Sequence, residues 1–542
     1  MPDAKPTRSL VNIAAIVAIA TLISKFFGLF RQQAIAAAFG AGSVYGAYNF
    51  AYVIPGFLLI LLGGINGPFH SAIVSVLAKR KKEEVAPIVE SITTLVVGIL
   101  LLVTIALIFL AEPLLRLTAP GLFVANADVV TREIAISQFR IMAPMAMLAG
   151  LIGIGFGVLN AADQYWLPSI SPLLSSVTTL IGLGALALYL GGDITSADNA
   201  ALGGAVLAWS TLAGAVLQWL VQIPVQWRSG LGGLRLRFNF RQPEVQEVIK
   251  IMGPATFSSG MMQVNVWTDL FFASFIPNAA AAVSAMGYAG LLIQTPLGIV
   301  SNVILVPLMP IFAKLAAPEN WPDLKIRIRQ GLMLTAVTML PMSALMIALA
   351  VPIARVVYER YAFRPEDSYL TASVLVAYAI GMFFYLARDV LVRVFYALED
   401  ADTPFRISVV NIFINALLDY LLVWRFGAPG LVLATVGVNL ISMVALLIML
   451  DRKLHGLPWR EWSQPIALLA VGSVAAGGVS WFVLQGSERI LGTSNLLVQL
   501  AELAIAASIG VGVFLLFATR LQLPEVEQFI GSFRRRFFRR RN

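Results

Sequence analysis

The chain contains no cysteine and only two histidines among its 542 residues, and only 12% of its residues are charged. The absence of cysteine excludes disulfides and thiol chemistry, and two histidines disfavour a histidine-rich metal site. Soluble domains carry about 25% charged residues, so this composition disfavours a soluble globular protein. The sequence also lacks a nucleotide-binding loop, a metal motif and a catalytic constellation, and we therefore expect a protein that is not an enzyme.

Long hydrophobic segments dominate the chain, which is 59% hydrophobic with a mean hydropathy of +0.84. A helix that spans a membrane needs about 20 mostly apolar residues. Such segments recur along nearly the whole sequence and predict an all-α polytopic membrane protein of about fourteen transmembrane helices. The predicted spans are 10–34, 44–76, 87–112, 135–160, 167–190, 200–226, 246–276, 279–315, 327–356, 369–398, 404–425, 429–450, 463–484 and 496–519.

The net charge of +9 resides in short loops between apolar segments, an arrangement that does not suit nucleic-acid binding. Positive charge marks the cytoplasmic side of a membrane protein. With the amino terminus inside, the inner loops carry Lys79 to Lys82, Arg235 and Arg237, and the chain closes with the basic segment Arg534 to Arg541. We therefore predict a multi-pass protein with both termini in the cytoplasm.

The first half of the chain recurs in the second half at an offset of about 235–239 residues. Phe156, Leu159, Ala162 and Asp163 share their spacing with Phe395, Leu398, Ala401 and Asp402. Six spans in each half is an even number, so the copies must be parallel and related by an axis along the membrane normal. We expect two six-helix lobes in 1–240 and 241–455, two further helices in 456–520 and a basic cytoplasmic tail in 521–542.

Charged side chains inside the spans are the functional candidates, because each costs about 2.5–3.5 kcal/mol on insertion scales unless it is paired or hydrated. Asn411, Asn415 and Asp419 recur every four residues and so share one helix face. Their oxygens suit a small cation, although a structural polar network explains the spacing equally well. The other charged candidates are Lys25, Arg31 and Asp269, and Thr435 on the next helix could add a hydroxyl. The adjacent Arg388 and Asp389 are equally compatible with a purely structural ion pair.

Several short motifs resemble the MurJ/MviN family of lipid II flippases. They are Ser24-Lys25-Phe26-Phe27-Gly28-Leu29-Phe30-Arg31, Phe39-Gly40-Ala41-Gly42, Gly157-Val158-Leu159-Asn160, Phe272-Ala273-Ser274-Phe275, Phe395-Tyr396-Ala397 and Asp402-Thr403-Pro404. The resemblance implies two six-helix lobes around a central cavity, as in the multidrug/oligosaccharidyl-lipid/polysaccharide exporters. It also implies alternating access driven by membrane potential. We expect a monomer in the bacterial plasma membrane that contacts membrane lipids.

The resemblance assigns roles to the charged candidates. The substrate-binding cations would be Lys25 and Arg31, and lipid II or a related polyprenyl-diphosphate lipid would be the substrate. A sodium site of some family members maps onto Asp269, Asn415, Asp419 and Thr435, so Na⁺ is the one cofactor to consider. The chain departs from the family pattern where acidic or basic residues are usual, at Gly46, Leu59, Ile60, Gly290 and Leu291.

These departures keep other functions open. The first alternative is an exporter of another undecaprenyl-linked glycan or of an amphipathic cation. The second is a membrane scaffold that transports nothing, which the intramembrane Asp269 and Asp419 argue against. The helix-one motif around Lys25 and Arg31 favours a lipid II flippase that carries the peptidoglycan precursor from the inner to the outer leaflet.

Overall fold

The computed structural model describes residues 10–64, 67–77, 79–80, 82–125, 127–261, 264–492 and 495–522. Within these ranges the regular structure is helical and contains no strand, which confirms the predicted all-α class. The predicted basic tail, from residue 523 onward, lies outside the described residues. Ala78 and Lys81 also lie outside them.

Contacts between Cα atoms divide the chain into two compact units. The first is Met1–Ser284 with Arg360–Phe363, and the second is Ala285–Glu359 with Arg364–Asn542. This division falls inside a helix, whereas the sequence repeat places its boundary at residue 240. Compactness and sequence repetition are different criteria, so the two boundaries need not coincide.

The first unit contains thirteen α-helices among its described residues, and a fourteenth begins in it and continues into the second unit. They are α1 (Leu10–Phe39), α2 (Ser43–Gly63), α3 (Pro68–Leu77), α4 (Lys82–Phe109), α5 (Ala111–Thr118), α6 (Val129–Met142), α7 (Met145–Ala161), α8 (Trp166–Ile170), α9 (Leu173–Leu190), α10 (Ala200–Leu220), α11 (Ile223–Arg228), α12 (Pro243–Met261), α13 (Val264–Ala273) and α14 (Ala279–Lys314). The core of this unit joins α2, α3, α4, α7 and α12, where Phe69, Ile73 and Ile92 are almost completely buried.

The second unit contains seven further α-helices among its described residues. They are α15 (Trp321–Ala348), α16 (Ala350–Tyr358), α17 (Pro365–Ala397), α18 (Asp402–Phe426), α19 (Ala428–Lys453), α20 (Trp459–Leu491) and α21 (Leu496–Arg520). The two last helices pack on each other, and Leu349, Leu484 and Ala506 bury an apolar cluster between them and the start of α16.

Eleven stretches of the described residues are long and apolar enough to span a membrane, or twelve when the bent pair α6 and α7 counts as one span. These coincide with twelve of the fourteen predicted spans. The other two predicted spans correspond to α1 and to the interrupted pair α12 and α13. The multi-pass architecture is therefore confirmed. The predicted count of fourteen spans is higher than the eleven or twelve described stretches that are long and apolar enough to cross a membrane.

One turn occurs twice among the described residues, 236 residues apart. After α7, Asp163 adopts a φ of 58° and the backbone N–H of Gln164 donates to the carbonyl of Leu159 over 2.9 Å. After α17, Glu399 adopts the same φ and the N–H of Asp400 donates to the carbonyl of Phe395 over 2.9 Å. This separation lies within the offset of about 235–239 residues read from the sequence, and the repeat stays a prediction.

Two aspartates outside the spans hold helix ends in place. Asp128 precedes α6, where its carboxylate accepts hydrogen bonds from the N–H of Val130 over 3.0 Å and from Ser43 Oγ over 3.0 Å. Asp400 precedes α18 and accepts a hydrogen bond from Thr403 Oγ1 over 2.9 Å and from Lys453 Nζ over 2.6 Å. Burial opposes the ionisation of both, but these hydrogen bonds outweigh it and hold the pKa of each carboxyl below its usual value.

Candidate functional site

Lys25 and Arg31, the two predicted substrate-binding cations, lie on different faces of α1. A separation of six residues turns the helix by about 240°. Lys25 is exposed beside the exposed rings of Phe26 and Phe30. Arg31 is half-buried, and its Nε atom is buried without a hydrogen-bond partner among the described residues. Arg31 is therefore the better placed of the two to meet a ligand inside the unit.

A ladder of tyrosines on α2 lies beside Arg31 of α1. Tyr48 stacks between Tyr45 and Tyr52, with ring centroids 6.1 and 5.3 Å apart and interplanar angles of 16°. Arg31 is adjacent on α1 to Gln32, which contacts this ladder at Tyr45. Sequence reasoning missed this group, although the spacing of Tyr45, Tyr48 and Tyr52 by three and four residues is the pattern of one helix face.

Polar neighbours hold the ladder. Gln32 Nε2 donates a hydrogen bond to the Tyr45 hydroxyl, and the Tyr48 hydroxyl lies 3.3 Å from Thr211 Oγ1 on α10. Asn49 Nδ2 donates to the backbone carbonyl of Tyr45 over 2.8 Å. These contacts link α1, α2 and α10 around one hydroxyl-rich face within the first unit.

Gly46, where the family usually has an acidic residue, is packed against the start of α14. A Cβ atom at Gly46 would lie 2.4 Å from the Cα and 2.7 Å from the carbonyl oxygen of Ala280. Such contacts with backbone cannot be relieved by rotating a side chain. This packing therefore leaves no room for a carboxylate at position 46.

The other departures from the family pattern are placed differently. Leu59 is half-buried and Ile60 is exposed near the end of α2. A Cβ atom at Gly290 on α14 would meet nothing closer than 3.9 Å. Tight packing explains the glycine at position 46 but not the one at position 290.

The polar face predicted for α18 is its buried face. Asn411 is 4% exposed, while Asn415 and Asp419 are fully buried. Asn415 Nδ2 donates a hydrogen bond to Asp419 Oδ2 over 2.7 Å. Three polar residues at mid-helix are thus turned away from lipid, and they concentrate carboxylate and amide oxygens on one line of the helix.

The remaining members of the predicted sodium set lie on other helices. Thr435 is half-buried on α19, which packs against α18, and its backbone carbonyl accepts a hydrogen bond from Asn439 Nδ2 over 2.9 Å. Asp269 is half-buried on α13, in the first unit, whereas Asn415, Asp419 and Thr435 belong to the second unit. The sodium assignment therefore stays a prediction.

Arg388 and Asp389 lie next to each other on α17, with 3.6 Å between Arg388 Nη1 and Asp389 Oδ1. Arg388 Nε also donates a hydrogen bond to Ser442 Oγ on α19 over 3.2 Å. The guanidinium thus connects two packed helices of the second unit, which is the geometry that a structural ion pair would have.

Glu90 on α4 binds the linker 229–242, which connects α11 to α12. Its two carboxylate oxygens accept hydrogen bonds from the backbone N–H of Gly233 and from Arg237 Nε, each over 3.2 Å. The N–H of Arg237 also donates to Thr94 Oγ1 over 3.0 Å. Glu90 is only 5% exposed, so this buried carboxylate has a structural role within the first unit.

Comparison with known sequences gives one consistent family. Residues 35–532 match the family model described as Lipid II flippase MurJ. A protein of Synechocystis sp. named "Probable lipid II flippase MurJ" is 56% identical over 532 residues, which are 97% of each chain. The "Lipid II flippase MurJ" of Burkholderia cenocepacia is 27% identical over 88% of this chain and 89% of its own.

Solved structures agree with this at the level of the fold. A lipid II flippase MurJ in an inward closed conformation superposes with a TM-score of 0.73 at 22% identity, covering 94% of this chain and 98% of its own. An inward-facing multidrug transporter of the MATE family gives a TM-score of 0.62 at 14% identity, covering 82% and 98%. The full-length match in sequence, together with this fold, shows that the chain belongs to the MurJ family of lipid II flippases.

Proposed function

We propose that this protein is a lipid II flippase, which moves the lipid-linked peptidoglycan precursor from the inner to the outer leaflet of the bacterial plasma membrane. The observation that carries the proposal is family membership over residues 35–532, with 56% identity to the Synechocystis relative across nearly the whole chain. The many apolar helices fit a multi-pass membrane protein.

Arg31 is the residue best suited to the diphosphate of such a substrate. Its half-buried guanidinium has a buried Nε without a hydrogen-bond partner among the described residues. A charge-assisted hydrogen bond from arginine to phosphate is roughly twice as strong as a neutral one. With glycine at position 46, the usual acidic residue does not compete for this cation.

The transport cycle is alternating access between two parallel six-helix lobes around a central cavity, in a monomer with both termini in the cytoplasm. The diphosphate head would enter the hydrated cavity while the polyprenyl tail remains in lipid. An inside-negative potential contributes about 2.3 kcal/mol per charge per 100 mV and favours outward movement of an anion. Sodium at Asp269, Asn415, Asp419 and Thr435 would then reset the empty carrier by moving inward.

The test is transport by purified protein in liposomes loaded with fluorescent lipid II. We expect leaflet exchange that accelerates when an inside-negative potential is imposed. Protein-free liposomes and a sphingomyelin probe are the controls. A protein that leaves lipid II in its original leaflet under every potential would overturn the proposal.

A further inference from the structure

The tyrosine ladder (Tyr45, Tyr48 and Tyr52) begins at Tyr45, which is only 4% exposed, and continues through Tyr48 and Tyr52 along a more open face of α2. Ala47, Phe50 and Ala51 are almost completely buried, on the helix that packs against α6 and α7. Tyr48, Asn49 and Tyr52 are only half-buried. α2 thus has a tightly packed apolar face and a second face, partly open, that is rich in hydroxyl groups.

The rings of the ladder stack on one another, and Tyr48 and Tyr52 remain half-buried. Each ring partly covers the next, and the ring of Tyr52 lies over Gly56, where a Cβ atom would be 2.1 Å from Tyr52 Cε1. The hydroxyls of Tyr45 and Tyr48 have protein neighbours in Gln32 and Thr211. No hydrogen bond of the Tyr52 hydroxyl is found among the described residues.

The chemistry of this face selects a ligand that has both hydrogen-bond donors and acceptors. A phenolic hydroxyl donates and accepts, and an amide such as Asn49 does both. A polyprenyl tail would leave the Tyr52 hydroxyl and the second hydrogen bond of the Tyr48 hydroxyl unpaired, at a cost of about 1–3 kcal/mol for each buried group. Sugar hydroxyls satisfy them, and in a glycan diphosphate lipid the sugar directly follows the phosphate.

We propose that the tyrosine ladder, with Asn49, is the surface that binds the first sugar of the head group while Arg31 binds the diphosphate. The inference rests on the proposed function and names a specificity subsite within it. Recognition there would discriminate glycosylated polyprenyl diphosphates from the same lipid without sugar.

The test compares two substrates in the liposome assay: lipid II and polyprenyl diphosphate that carries no sugar. Tyr52→Phe removes one hydroxyl and preserves the stack, and Tyr189→Phe, at an 81% exposed site at the end of α9, is the matched control. Loss of one neutral hydrogen bond corresponds to a roughly two- to tenfold change. We expect Tyr52→Phe to raise the KM for lipid II by that factor and to leave transport of the sugar-free lipid unchanged.

Gly56→Ala provides a second, independent variant, because the added methyl group displaces the Tyr52 ring without removing its hydroxyl. It should reproduce the selective effect on lipid II. Equal losses on both substrates, or no change on either, would overturn the subsite while wild-type transport still supports the proposed function. A wild-type protein that moves neither substrate would instead overturn the proposed function itself.

Discussion

Gly46 and Ala280 touch so closely that α2 and the start of α14 meet backbone to backbone. A Cβ atom at position 46 would lie 2.4 Å from Ala280 Cα. The glycine that departs from the family pattern is therefore a packing requirement in this chain.

Replacing Gly46 should destabilise the protein. We expect Gly46→Ala to lower the free energy of unfolding by about 1–3 kcal/mol, the usual cost of overpacking. Gly98→Ala is the control, because a Cβ atom there meets nothing within 4 Å, and alanine favours a helix by roughly 0.5–1 kcal/mol. Thermal unfolding in detergent measures both variants. Equal melting temperatures for the two variants would contradict the tight contact.

Arg31 and Lys25 should differ in their importance for transport. Arg31→Gln removes the half-buried cation, and we expect it to abolish lipid II transport and complementation of a flippase-depleted strain. Lys25→Gln, at the exposed site on another face of α1, should reduce transport less. Arg116→Gln, at a 62% exposed ion pair with Glu112, is the control for loss of charge. Full activity of Arg31→Gln would refute its role as the diphosphate ligand.

Glu90→Gln should release the linker 229–242. The substitution weakens a charge-assisted hydrogen bond, and such bonds contribute about 1.5–3 kcal/mol. Arg237 is 43% exposed, so solvent screening favours the lower end of that range. We expect trypsin to cleave the linker about tenfold faster than in the wild type. Glu112→Gln should leave this cleavage rate unchanged, and an unaltered rate in Glu90→Gln would show that the carboxylate does not hold the linker.

Asp128 and Asp400 should make stability fall in acid. Burial opposes their ionisation, but their hydrogen bonds hold the pKa of each below the ordinary value of 3.8. A carboxyl with a lower pKa in the folded state contributes stability above the unfolded pKa and loses it as the pH falls through the folded pKa. The melting temperature should therefore fall below about pH 4, and less steeply in Asp400→Asn and Asp128→Asn. The same slope in all three proteins would rule out this contribution.

The buried face of α18 should decide any response to sodium. If Asn415 and Asp419 bind Na⁺, the wild-type melting temperature rises with Na⁺ but not with K⁺, because a ligand that binds only the folded state stabilises it. Asp419→Asn should abolish that difference, whereas Asp323→Asn, at an exposed site on α15, should retain it. Identical melting temperatures in Na⁺ and K⁺ would leave these residues with a structural role only.

Most of the helices could be predicted from the sequence because a spanning helix is a local property. Twelve predicted spans coincide with apolar stretches of the structure, and the shared face of Asn411, Asn415 and Asp419 is the buried one. The tyrosine ladder shows the limit, since its spacing was readable although nothing in the sequence placed Gln32 and Thr211 beside it.

By itself, the sequence determined the membrane class, most of the helices and the buried polar face of α18. Hydropathy and the helical period of 3.6 residues depend only on residues close together in the sequence. Only the tertiary structure decided that Gly46 meets Ala280, that Glu90 binds Arg237 across 147 residues of sequence, and that Tyr48 reaches Thr211. These contacts depend on how apolar helices pack against one another. Their mutual packing follows side-chain shape, which hydropathy does not record.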